Sequence, residues 1–357
     1  MPTPPAADAG YAPTVTFDVV VVGAGVAGLS CARALSEAGK QVRVLERARG
    51  VGGRCATRRV DGQPVDHGVA FLHGSTPAFV AALDAVPGAR LDGWPSVVRG
   101  SGTPCQPRAY APGERRVAYA AGVSAFPKSL AVGLDVLLET SVVALEVGES
   151  ALAVHAEQRG TPVRFFARDV VLALAGPQAL RLLGALPASK SRDTARALLT
   201  MMPSTACATV IAMYERGRDI LPWQVWYPES SETLLLISHD SSKRPDPEHT
   251  ALVVQARPAW SRAQLAGDER QWAADMLADA ARLIGPWVER PKTLQAHRWR
   301  HARTGPESEL AAPLVLSLDG GCRIGLAGEL WAAGGGVQAA WQSGEQLARR
   351  LLDEVTQ

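Results

Sequence analysis

With 357 residues, 37 Lys and Arg against 35 Asp and Glu, and a formal net charge of +2, the chain has no basic excess that would hold a nucleic acid. The length exceeds the roughly 250 to 300 residues that one core fills, so two domains are expected. No stretch reaches the roughly 18 to 20 apolar residues of a membrane span, and five cysteines without C-x-x-C spacing argue against a metal site or a disulfide framework, so a cytoplasmic protein is expected.

Residues 1–13 (MPTPPAADAGYAP) lack a basic n-region and an apolar h-region, and they read as a disordered leader, not a signal peptide. The run 17–28 (FDVVVVGAGVAG) then combines a doubly buried parallel strand with a glycine triad. Gly23 turns the chain at the strand end, Gly25 leaves room for a pyrophosphate against backbone, and Gly28 lets the next helix pack close. The N–H groups of Val26 and Ala27, at that helix N-terminus, are free to meet the phosphates. A second strand, 41–46 (QVRVLE), ends in Glu46, placed to take both hydroxyls of an adenosine ribose and to repel a 2′-phosphate, which disfavours NADP. Next comes 51–59 (VGGRCATRR), where Gly52, Gly53 and Arg54 can bring more backbone and a guanidinium to the same pyrophosphate. Arg58 and Arg59 read as a solvated basic corner.

Proline and glycine punctuate 87–113, a region of loops and short strands over part of a substrate-facing surface. Segments 133–147 and 151–158 alternate as strands, and 169–173 (DVVLA) is a buried one. Residues 181–300 form a substrate domain with strands at 206–214, 233–238 and 250–256 and a helix at 270–284, whose Trp272, Met276, Leu277, Ala280 and Ile284 make one core-facing stripe. The stretch 240–244 (DSSKR) has the composition of an exposed loop. Trp223, Trp226 and Tyr227 read as wall or core packing, with an aromatic pocket as the alternative. Trp299 and Arg300 lie either on a substrate face, where Arg300 or Arg298 would bind a phosphate, or on a packed strand. Finally, 323–327 is a strand followed by Gly328 and Glu329, and after the glycines at 334–336 a helix starts near Val337. Its residues Val337, Ala340, Trp341, Gly344, Leu347, Ala348 and Leu351 form an unbroken stripe, returning the chain to the first domain.

These motifs resemble the flavin-dependent amine oxidase superfamily, whose signature is the glycine triad, the ribose glutamate and a G-G-R loop. Further segments, 122–130 (GVSAFPKSL), 240–244, 253–262 (VVQARPAWSR), 297–303 (HRWRHAR) and 324–329 (IGLAGE), resemble its renalase-like branch. The resemblance implies an α/β fold: a Rossmann-like FAD-binding domain at 14–75, 123–180 and 301–357, and a second α+β domain on an antiparallel sheet at 76–122 and 181–300. It implies non-covalent FAD, held by Gly23, Gly25, Val26, Ala27, Gly28, Glu46, Arg47, Gly53 and Arg54. It also places Ala70 and Phe71 beside the flavin ring, Val142 and Val143 near the adenine, and Gly328, Glu329, Val337 and Gln338 around the ribityl chain and ring. Gln338 departs from the glutamate usual there. Lys243, through a water, is the candidate beside flavin N5, and His67 and Trp299 are the other candidate catalytic residues.

The implied activity is hydride transfer from a dihydronicotinamide isomer to FAD, with O2 as acceptor and H2O2 as product, in a monomer or homodimer. The alternatives are an oxidase or dehydrogenase of an amine or secondary metabolite, and a non-catalytic flavin-binding protein.

Overall fold

A computed structural model describes residues 16–217, 221–304 and 310–353. The leader assigned at 1–13 lies outside the described residues. The chain opens with β1 (Thr16–Val22), α1 (Val26–Glu37) and β2 (Val42–Leu45). A hairpin, β3 (Thr57–Val60) and β4 (Gln63–Asp66), leads to β5 (Leu72–Gly74), α2 (Pro77–Asp84), β6 (Arg90–Asp92), β7 (Val98–Arg99) and β8 (Arg115–Tyr119). Helix α3 (Ala125–Ala131) and β9 (Asp135–Leu137) return to the first sheet, followed by the meander β10 (Thr140–Val147), β11 (Leu152–Gln158) and β12 (Thr161–Leu172). After α4 (Gly176–Gly184) and α5 (Lys190–Met201) come β13 (Ser204–Glu215), β14 (Val225–Trp226), β15 (Leu234–His239), β16 (His249–Ala256), α6 (Pro258–Gln264), α7 (Glu269–Ile284) and β17 (Thr293–Thr304). The described chain ends with β18 (Leu314–Ser317), β19 (Arg323–Leu326) and α8 (Gly336–Asp353).

The first sheet is the expected Rossmann layer. Strands β19, β12, β1, β2 and β9 run parallel, while the first half of β12 pairs antiparallel with β11. The valine run of β1 is buried on both sides: Val19 and Val21 join the core under α1 and α8, and Val20 and Val22 join the core under α4 and α5. Helices α1 and α8 approach most closely at Gly344, where an added Cβ would stand 2.1 Å from Ser30 Oγ and 2.2 Å from the Ala27 carbonyl. Gly344→Val is therefore expected to destabilise the fold by about 3 kcal/mol or more, read as a lowered urea midpoint; an unchanged midpoint would contradict this packing.

The second sheet, in the order β17, β13, β16, β15, β14, β7, is antiparallel except at its β7 edge. One face packs on α7 through Trp272, Met276, Leu277 and Ala280, the predicted stripe. The other face sets Ile211, Met213, Ala251 and Val253 against Val60 and Val65 of the β3–β4 hairpin, joining the two domains through apolar contact. Two boundaries differ from expectation. Strand β17 stays in the second sheet through Thr304, past the boundary at 300, because its pairing with β13 continues to Ser204. Helix α2 packs Phe79 and Leu83 into the core of the nucleotide domain, where Phe79 meets Phe126 edge-on and Trp341 at a tilt.

Candidate active site

A cavity of about 1460 Å³ lies between the domains, larger than the roughly 300 to 1,000 Å³ of a single small-ligand site. Its floor is the end of β1 and the start of α1. An added Cβ at Gly28 would stand 2.0 Å from the Gly23 carbonyl, so this glycine is needed for the helix to close on the strand. Gly25 is the opposite case: its backbone is extended (φ −75°, ψ 175°), and a Cβ there would meet no atom within 4 Å. It fronts open cavity, at the N-terminus of a helix with no side-chain cap and no acidic residue in its first turn. Those orphan N–H groups and that space fit a phosphate group. The second glycine loop is pinned alongside, with Gly52 N–H donating to the Ala24 carbonyl at 2.8 Å.

Glu46 is buried, accepting from the N–H of Ala24 and of Ala48 at 2.8 Å each. Each carboxylate oxygen keeps a lone pair for a ribose hydroxyl. Arg54 is paired with Glu329 and also donates to the Ala302 carbonyl, while Glu329 accepts from Thr304 N–H at 3.0 Å. The triad of Arg54, Glu329 and β17 thus ties the nucleotide floor to the opposite wall. The start of α8, with Gly336 and Val337, also lines the cavity and has no acidic residue in its first turn. A negative charge developing on a ring in front of it would be stabilised.

The opposite wall is β17 with parts of β13 and β16. His297, Trp299, His301 and Arg303 all line it, together with Thr205, Cys207 and Gln255. Gln255 donates to the Gly68 carbonyl at 2.6 Å and accepts from Arg303 at 3.2 Å, locking this wall to the loop that follows β4. Burial pushes the Cys55 thiol up to about 12 and that of Cys207 up as well, so neither offers a thiolate. Among the described residues no group of His, Cys, Asp and Glu is arranged to hold a metal.

Of the residues singled out from sequence, Gly23, Gly25, Val26, Ala27, Glu46, Arg47, Gly53, Arg54, Ala70, Trp299, Gly328, Glu329 and Val337 line this cavity. Others do not. Val143 faces outward, because the alternation of β10 turns Val142 to the cavity and leaves its neighbour exposed. Phe71 packs into an aromatic cluster with Trp94 and Tyr110. Gln338 turns away to accept from the N–H groups of Ser75 and Thr76, at 2.9 and 3.1 Å, ahead of α2. His67 lies behind Trp299, whose indole donates to the His67 carbonyl at 2.9 Å.

Lys243 is the largest departure. The stretch 240–244 is a buried turn, not an exposed loop, and Lys243 is fully buried. Its Nζ lies 2.8 Å from Asp66 Oδ2, 2.6 Å from Asp240 Oδ1 and 4.6 Å from the centre of the Trp94 ring, and it is not on the cavity wall. Two carboxylates and an aromatic face draw in an ammonium that composition alone would leave in water. Arg58 is also misplaced by the sequence: it is half-buried and donates to Gln295 and His297. Trp223 and Trp226 meet edge-on in the core, and the Tyr227 hydroxyl meets that of Tyr110 at 3.1 Å, so these rings form no pocket on this cavity. The cavity residue that sequence reasoning passed over is His297. Its signal was the alternation in HRWRHAR, which sets it on the same side of β17 as Trp299.

A Rossmann layer, a dinucleotide-sized cavity and a second domain closing it define an oxidoreductase that works with a bound dinucleotide. Residues 21–86 match the NAD(P)-binding Rossmann-like domain and residues 88–352 the flavin-containing amine oxidoreductase model, so the chain belongs to the flavin-containing amine oxidoreductase family, a family of FAD-dependent oxidoreductases. It is 52% identical over 71 residues to AofH of Mycobacterium tuberculosis, assigned as a flavin-containing monoamine oxidase, a match spanning 20% of this chain and 15% of that protein. It is 41% identical over 63 residues to pseudooxynicotine dehydrogenase of a Pseudomonas species, spanning 18% of this chain and 13% of that one. The chain therefore matches well under a fifth of the length of these relatives. Its fold is similar to that of putrescine oxidase bound to putrescine, with TM-score 0.69, 17% identity, and coverage of 96% of this chain and 100% of the other. Cyclohexylamine oxidase from Brevibacterium oxydans is similar to the same degree, with TM-score 0.70, 14% identity, and 96% and 100% coverage. The dinucleotide that this cavity fits is accordingly FAD.

Proposed function

We propose that the chain is a renalase-like oxidase that binds FAD without a covalent tether and acts on a dihydronicotinamide isomer. When bound, FAD supplies the hydride acceptor at N5 and passes the two electrons to O2, so that a dihydropyridine, O2 and a proton give a pyridinium and H2O2. The supporting observation is the charge of the cavity wall. Among the described residues its carboxylates are Glu46 and Glu329, the first bound to backbone and the second to Arg54, while Arg47, Arg300 and Arg303 are on the wall; Arg298 turns its guanidinium to Glu269 on the far side of β17. Such a wall attracts a phosphate-bearing substrate and repels an ammonium.

The chain's own groups then have little proton work to do. Loss of hydride from a dihydropyridine restores aromaticity, so orientation and exclusion of water are the main demands. Trp299 supplies a flat face for the ring, and Arg300, exposed at the cavity, is placed for a phosphate. For the alternative of amine oxidation, Lys243 is buried in its ion cluster and does not line the cavity.

Anaerobic mixing with reduced nicotinamide isomers tests this. Bleaching of the flavin absorbance, then its recovery with stoichiometric H2O2 on admitting O2, is the expected result. Bleaching by a panel of amines alone would replace the proposal with amine oxidation, and no bleaching by either would leave a flavin-binding protein without this turnover.

A further inference from the structure

We propose that His297 selects the substrate by donating one fixed hydrogen bond, from Nε2–H, to an uncharged carbonyl oxygen on a flat ring lying against Trp299. This rests on the reading of the cavity as a hydride-transfer site for a small ring. Arg58 Nη2 stands 3.3 Å from His297 Nδ1, and a guanidinium has no lone pair to offer, so Nδ1 accepts and the ring proton is on Nε2. Arg58 is itself held, donating from Nη1 to Gln295 Oε1 at 3.1 Å, two residues earlier on the same strand. The imidazole cannot swing: it meets the Trp299 ring at 4.2 Å between centres and the His67 ring at 5.1 Å, edge-on. His297 lines the cavity, and no protein group among the described residues takes the Nε2 proton.

The charged and titratable neighbours keep this donor neutral. Burial, then Arg58, push the His297 imidazolium down to about 4, and burial with Arg58 and His297 pushes His67 down to about 3. The other charges nearby are Asp66, beside His67, and Arg49 and Glu269, both of which act on Arg58. At neutral pH His297 is therefore a donor with no positive charge and Nδ1 already engaged. Such a group recognises an amide or ketone oxygen, and an alkylammonium offers it no acceptor.

The test uses the FAD-loaded protein and two ring probes, nicotinamide and 3-methylpyridine, which differ in the carbonyl. Dissociation constants come from the perturbation of flavin absorbance. The wild type is expected to prefer nicotinamide by about 10- to 100-fold, the size of one buried hydrogen bond. His297→Phe should lose that preference through nicotinamide alone, and His297→Gln, which keeps an N–H donor, should regain most of it. Arg58→Leu should mix the two His297 tautomers in 15N spectra and bring a pH step into nicotinamide binding between about pH 5 and 7, whereas Arg58→Lys should keep the wild-type tautomer. An unchanged nicotinamide constant in His297→Phe, an equal loss for both probes, or a wild-type ring protonated on Nδ1 would each overturn the proposal. The function and this inference fail separately. Bleaching by dihydronicotinamide with an unmoved His297→Phe constant sinks only the second; no bleaching, with the preference lost in His297→Phe, sinks only the first.

Discussion

Gly25→Val is expected to abolish FAD binding in a protein that still folds. The position has ordinary extended backbone and an added Cβ meets no atom within 4 Å, so the apoprotein should stay within about 1 kcal/mol of the wild type in urea unfolding, mostly through a poorer helix cap. The new side chain would fill the space in front of the uncapped start of α1, where a pyrophosphate has to approach backbone N–H groups. Displacing it and losing those contacts is worth about 3 kcal/mol, a rise of at least about 100-fold in the FAD dissociation constant. Gly28→Ala gives the contrast, since its Cβ would collide with the Gly23 carbonyl at 2.0 Å and approach the Ala173 side chain at 3.0 Å. It should destabilise apoprotein and holoprotein alike by about 3 kcal/mol or more. A Gly25→Val protein that binds FAD as tightly as the wild type would refute this placement of the phosphates.

Lys243→Met is expected to be a stability variant and not a catalytic one. Removing the ammonium leaves Asp66 and Asp240 buried and facing one another, with Arg244 at 4.0 Å and 3.3 Å from their oxygens as the remaining cation. Breaking a buried pair in this way costs about 3 to 5 kcal/mol. The loss should depend on pH. Burial pushes the Asp240 carboxyl above its ordinary range, so the folded chain binds that proton more tightly than the unfolded one. That carboxyl's contribution is complete below its unfolded pKa, about 3.9, and is lost as pH rises through the folded value. Without the lysine the folded value rises further, and Lys243→Met should be more destabilised at pH 8 than at pH 5 by denaturant unfolding. Flavin reduction per bound flavin should be little changed. A fall of several orders of magnitude in that rate, at unchanged stability, would instead make Lys243 catalytic.

The nucleotide half of the molecule was readable because its requirements are local. Strand, turn, helix, strand and acid follow within thirty residues or so, and the stripe of α8 shows its periodicity without reference to anything else. Apart from Val143, a matter of strand alternation, the main failures share one physical cause, a partner far away in the chain. Ser241, Ser242, Lys243 and Arg244 look like solvent-facing residues until Asp66, 177 positions from Lys243, supplies a buried carboxylate. Arg58 looked like a corner of the surface, and its partners Gln295 and His297 lie 237 and 239 positions away. Gln338 follows the same rule, held by backbone N–H groups 262 and 263 positions earlier. Period and turn chemistry can be read from neighbours, but long-range pairing of polar side chains cannot.

The most direct measurement is the flavin itself. The purified protein is denatured with acid, and the absorbance of supernatant and pellet is recorded separately. A yellow supernatant with the spectrum of FAD, stoichiometric with the chain, is the expected result for a cofactor seated between Gly25, Glu46 and the start of α8 without a covalent bond. A colourless protein that takes up no FAD when it is supplied would contradict the account at its centre.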